Sequence, residues 1–140
     1  MRRALSWLPA AIWAGVLFWL SSRPTGPSIP IWFLTYDKAT HAMAFGFLAA
    51  LAYFALRAGH GFLPSLSALC AWLLSSFYGG ADELHQAFVP ARQPDWHDWL
   101  ADTIGAALAV AFLLAAERVT RIGVSRRGQR RRSPATGGAV

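Results

Sequence analysis

Residues 99–116 read Trp-Leu-Ala-Asp-Thr-Ile-Gly-Ala-Ala-Leu-Ala-Val-Ala-Phe-Leu-Leu-Ala-Ala, with Asp102 as the single ionisable side chain. As a helix rising 1.5 Å per residue this stretch is roughly 27 Å long, close to the ~30 Å hydrocarbon core of a bilayer. Three more stretches have the same character: Ala4 to Leu20, Ala39 to Leu56 and Leu63 to Tyr78. Their polar flanks are expected to carry each helix into the interface. The expected fold is therefore all-α, an integral membrane bundle of four transmembrane helices over residues 1–117. A basic, disordered cytoplasmic tail is expected over 118–140.

Composition supports this reading. The 140 residues are enough for one compact unit, and 55% are hydrophobic while only 14% are charged. A soluble domain carries roughly 25% charged residues. Seven tryptophans and nine phenylalanines argue equally against a disordered chain. Ala4 to Leu20 is longer than the apolar core of a secretory signal, and no small-x-small cleavage site follows it. Cys70 stands alone, so neither an internal disulfide nor a paired-cysteine zinc motif is available, and it is expected to be buried.

Charge orients the segments. With four crossings, the N-terminal side gathers Arg2, Arg3, Arg57 and the seven arginines from Arg118 onward, against Arg23, Lys38 and Arg92 on the other side. Ten basic residues against three place both termini in the cytoplasm. Trp7 at one face, and Trp19, Trp32, Trp96 and Trp99 at the other, suit interfacial anchoring. The net charge of +6 is concentrated in the tail, a pattern that favours anionic lipid over nucleic acid as its partner.

On that topology the polar residues are sharply divided. Six of the seven acids fall on the outer side: Asp37, Asp82, Glu83, Asp95, Asp98 and Asp102. Lys38, His41, His85, Gln86, Arg92 and His97 join them. Helical spacing recurs in Asp37 and His41, in Asp82, His85 and Gln86, and in Asp98 and Asp102, so each set shares a helix face. Asp102 lies one turn inside the apolar run, above the small residues Gly105, Ala106 and Ala109, which let another helix approach. An acid at that depth needs a partner, and His41 is its natural one. His41, Asp82, His85, Arg92, Asp98 and Asp102 are expected to converge on one cavity open to the outer side. The blander alternative for Asp37 is a cap on its helix, and Asp95 and His97 are expected to be solvated loop residues.

These residues resemble a known family. Asp37-Lys38-x-x-His41-x-x-x-Phe45, Ala81-Asp82-Glu83-Leu84-His85-Gln86-x-Phe88-Val89-Pro90-x-Arg92 and Asp98-x-x-Ala101-Asp102-x-x-Gly105 are similar to three motifs of VanZ-like bacterial membrane proteins. The Ser21-Ser22 pair is also typical of it, and the resemblance spans about Leu5 to Leu114. Two positions and one stretch depart from the family pattern, the stretch being Gln93 to His97, which is bulkier and more acidic than expected. Ala91 stands where the family usually has glycine, and Asp102 where asparagine is common. The resemblance implies a multi-pass protein of the bacterial inner membrane, in a family whose founding member contributes to teicoplanin resistance. It implies no reaction.

Three functional readings follow. One is a binding protein whose outer site, formed by Asp37, Lys38, His41, Asp82, Glu83, His85, Gln86, Arg92, Asp98 and Asp102, takes a lipid-linked, cell-envelope or glycopeptide ligand. Another is a membrane-embedded enzyme acting on an outer-leaflet lipid or cell-wall precursor, with Lys38 and Arg92 holding an anionic group. In that case carboxylate and imidazole ligands would suit zinc or manganese, although no His-Glu-x-x-His spacing is present. The third is an ion-pair scaffold that ties the helices together. No cofactor follows from the sequence itself.

Overall fold

The computed structural model describes the backbone of residues 2–24 and 31–132, and the side chains of 3–24 and 37–121. The described residues are helical with no strand. A short turn, α1 (Arg2–Leu5), leads into α2 (Leu8–Ser21), whose Pro9 sits in the first turn, where a missing N–H leaves no bond broken. α3 (Ile31–Phe54) runs into a π-helical turn, Ala55–Gly59. Gly61, at φ +70°, reverses the chain into α4 (Pro64–Gln86), and α5 (Trp96–Arg132) follows.

The helices overrun the apolar segments at both ends of the molecule. α3 starts at Ile31, so Asp37 lies within the helix and does not cap it. α5 continues unbroken through Arg118 to Arg132, where the sequence reading expected a disordered tail. Arginine is a good helix former, and Glu117 meets Arg121 one turn on at 3.3 Å, which supports the helix across Gly123 and Gly128. Residues 25–30 and 133–140 lie outside the described residues.

Among the described residues, three stretches are long and apolar enough to cross a membrane: Arg3–Ser21, Asp37–Gly59 and Trp96–Arg121. α4 has the length but more polar content, and its packing explains why it tolerates that. Its buried positions are Ser67, Ala68, Ala71, Ser75, Gly79, Asp82, Glu83 and Gln86, a single stripe of small and polar residues. α4 is wedged between α3 and α5, antiparallel to both. Ser75 Oγ donates to Phe45 O at 2.8 Å, Trp72 Nε1 to Thr103 O at 3.2 Å and Trp99 Nε1 to Ser76 O at 3.1 Å. Polar groups in an apolar medium are affordable when they face protein and are bonded there.

α3 and α5 run parallel and touch backbone to backbone. A Cβ on Gly105 would lie 2.0 Å from Ala42 O, and one on Gly46 would lie 3.0 Å from Gly105 O. The core is correspondingly alanine-rich, with Ala49, Ala52, Ala68, Ala71 and Ala106 around Tyr53, Leu56 and Val110. Cys70 packs against its edge, half-buried. Large apolar side chains such as Met43, Phe77, Leu108 and Phe112 point outward, at 66–76% exposure. Small residues inside and large ones outside invert the soluble pattern, as expected where lipid takes the place of water. α2 leans on α3 and α4 through Trp13 Nε1 donating to Ala44 O at 2.9 Å and Tyr78 Oη to Ala14 O at 2.7 Å.

Candidate functional site

The N-termini of α3 and α5 and the C-termini of α2 and α4 meet at one end of the bundle, and most of the acids gather there. The Ala42–Gly105 contact determines what faces what. With α3 and α5 in that register, Lys38 stands beside Asp98 and His41 beside Asp102. Lys38 Nζ donates to an oxygen of Asp98 and, at 2.6 Å, to Asp95 Oδ2. His41 Nδ1 lies 3.0 Å from Asp102 Oδ1. The His41 ring is parallel to that of Phe45, one turn along α3.

Asp102 is completely buried, and its Oδ2 has no hydrogen-bond partner among the described residues. Gly79 on α4 makes room for it: a Cβ there would lie 2.7 Å from Oδ2. Asp98 is 8% exposed, and its Oδ2 lies 3.9 Å from His41 Nε2. Asp37 Oδ1 lies 4.0 Å from the same nitrogen. These residues face protein rather than lipid, as the small-residue stripe below Asp102 implied.

Asp95 is the pivot between α4 and α5. Its N–H donates to Glu83 Oε2 at 2.7 Å, and its Oδ1 accepts the N–H of His97 at 2.9 Å, which caps the start of α5. The Lys38 ammonium holds the Asp95 carboxyl well below the usual carboxylate range, and the His97 bonds add to this. The expectation that Asp95 is simply solvated is thus corrected. Its position directly after Pro94, two residues before the N–H it caps, was the available signal. Gln86 Nε2 donates to Asp82 Oδ2 at 3.0 Å and to Glu83 Oε1 at 3.4 Å, so three buried polar side chains of α4 satisfy one another.

His85 and Arg92 do not join this cluster in a single cavity. His85 Nε2 lies 3.0 Å from Ser22 Oγ, with its ring against Phe18 at 4.6 Å. Arg92 donates from Nε to Arg23 O at 3.2 Å and from Nη2 to Leu20 O at 3.3 Å. Both residues secure the C-terminal end of α2, whose last carbonyls lack intrahelical donors. The expected single site thus divides into a buried cluster between α3, α4 and α5 and a separate clasp on α2.

The opposite end of the bundle holds a network that the sequence reading missed. Glu117 accepts from Arg57, from Tyr53 Oη at 2.6 Å and from Arg121 Nη2 at 3.3 Å. Trp7 Nε1 donates to His60 Nε2 at 2.9 Å. Glu117 as the lone acid among arginines was the clue. One network therefore closes each end of an apolar bundle, and the cluster around His41 and Asp102 is the more deeply buried.

A family model described as VanZ/LLP1 matches residues 3–117 of the chain. No curated protein and no solved structure matches it.

Proposed function

The chain belongs to the VanZ/LLP1 family, and from that premise we propose a four-span protein of the bacterial inner membrane that binds a cell-envelope ligand at its outer face. In this reading α4 is the fourth span, both termini are cytoplasmic and the basic residues after Glu117 lie along anionic lipid. The supporting observation is the cluster of Asp37, Lys38, His41, Asp98 and Asp102 at one end of an apolar bundle. The asymmetry of ten basic residues against three supports an outer location for that end. The ligand is a lipid-linked precursor or a glycopeptide such as teicoplanin, met by a surface in which carboxylates outnumber cations.

A second reading, an ion-pair scaffold, is favoured by one observation: Lys38, Asp95, Glu83, Gln86 and Asp82 satisfy one another across three elements. One experiment separates the two. Protein reconstituted in liposomes is titrated with teicoplanin and, separately, with a polyprenyl-pyrophosphate-linked cell-wall precursor. The binding reading expects saturable uptake of one of them, weakened by Lys38→Gln in protein that remains folded. Absence of saturable binding to both removes that reading and leaves the scaffold.

A further inference from the structure

We propose that Asp37, His41 and Asp98 form a binding site for a divalent transition-metal cation of the zinc or manganese class. The inference rests on side-chain geometry and is independent of the ligand and the orientation proposed above.

Three donor atoms, one each from Asp37, His41 and Asp98, lie within 4.8 Å of one another. His41 Nε2 is 4.0 Å from Asp37 Oδ1 and 3.9 Å from Asp98 Oδ2. Those separations are too long for hydrogen bonds. Two ligands on a tetrahedral metal with bonds near 2.1 Å stand roughly 3.4 Å apart, so each His41 pair closes by about half an ångström and the two carboxylates, within 4.8 Å of each other, by up to about 1.4 Å. Asp37 and His41 share one face of α3, and the Ala42–Gly105 contact holds Asp98 opposite them.

The second observation is behind the imidazole. Asp102 is wholly buried, and one of its oxygens has no hydrogen-bond partner among the described residues. Its other oxygen lies 3.0 Å from His41 Nδ1, so that edge of the ring is engaged with Asp102. Nε2 is then the ring nitrogen that faces the two carboxylates. A carboxylate that holds the far nitrogen of a histidine is the usual support for a metal-ligating imidazole. A desolvated carboxylate is also costly unless positive charge accumulates nearby, and a metal on Nε2 supplies it. Lys38 borders the site without filling it: its ammonium bonds to Asp95 and to the other oxygen of Asp98 and lies 4.0 Å from the other oxygen of Asp37.

One nitrogen and two oxygens suit zinc or manganese rather than a thiol-seeking ion, and three protein ligands leave a position for water. When the metal binds, any proton on Nε2 leaves to solvent, and nothing is oxidised or reduced.

The test uses the full chain in detergent, stripped with a chelator and titrated with Zn²⁺ or Mn²⁺. One ion per chain is expected. His41→Gln and Asp98→Asn should weaken binding at least tenfold, and Asp102→Asn by about 10–100-fold, as for other supporting carboxylates. His60→Gln and His97→Gln should keep it. Co²⁺ in the unaltered chain provides a readout that does not depend on variants folding. Visible bands of four- or five-coordinate cobalt are expected. The spectrum of the free aqua ion, or Zn²⁺ retention no higher than in folded His41→Gln protein, overturns the proposal.

Discussion

At the scale of single residues, Ala91 has the least comfortable backbone. It sits at φ 63°, in the left-handed region, just before the arginine that clasps α2. A Cβ in that conformation costs roughly 1–2 kcal/mol. The strain has a use, because the chain must turn sharply after Pro90 to deliver Arg92 to Leu20 O and Arg23 O. Ala91→Gly should therefore stabilise the protein by about 0.5–1 kcal/mol, once the greater freedom of glycine in the unfolded chain is subtracted. A rise in Tm in detergent checks this. A fall would show that the turn gains more from the Ala91 methyl than it loses to strain.

At the scale of elements, helix-to-helix approach is governed by where side chains are missing. A Cβ on Gly105 would lie 2.0 Å from Ala42 O, whereas one on Gly15 meets nothing within 4 Å among the described residues. Gly105→Ala should force α3 and α5 apart at a net cost of about 2 kcal/mol, because overpacking outweighs the gain in helix propensity. Gly15→Ala should be neutral or stabilise by up to ~1 kcal/mol. Thermal melts of the two variants side by side check the pair. The same displacement would draw His41 from Asp102, so Gly105→Ala should also weaken metal retention while Gly15→Ala leaves it intact. α4 follows the complementary logic: Ser67, Ser75 and Gly79 face inward, so its polar stripe is the one packed against two other helices.

At the scale of the whole molecule, orientation is the open physical question, and charge predicts the answer. Reporter fusions after Arg57 and after Ser125 should read cytoplasmic, and fusions after Pro27 and after Pro94 extracytoplasmic. The pair at Arg57 and Pro94 also tests whether α4 crosses, since opposite readings require it to. A cytoplasmic reading at Pro27 would put the His41 cluster in the other compartment and rule out an outer-face ligand, while leaving the metal inference untouched.

Length, hydropathy and charge were sufficient to establish an all-helical membrane protein, its apolar segments and the concentration of acids toward one end of the helices. Those properties follow from local composition and from the thickness of the bilayer. Helical spacing also identified His41 as the partner of Asp102, because depth in the membrane restricts the choice. Membership of the family was legible from the three motifs, and the match over residues 3–117 shows it. The division of the polar residues into a buried cluster and an α2 clasp was not legible. Spacing along one helix says which side chains share a face, but not which neighbouring helix that face meets. That choice depends on the register of α3 against α5, held by a backbone contact at Gly105, and on the turn through Ala91 that carries Arg92 to α2. Both are contacts between segments distant in sequence, and they exist only once the helices have packed.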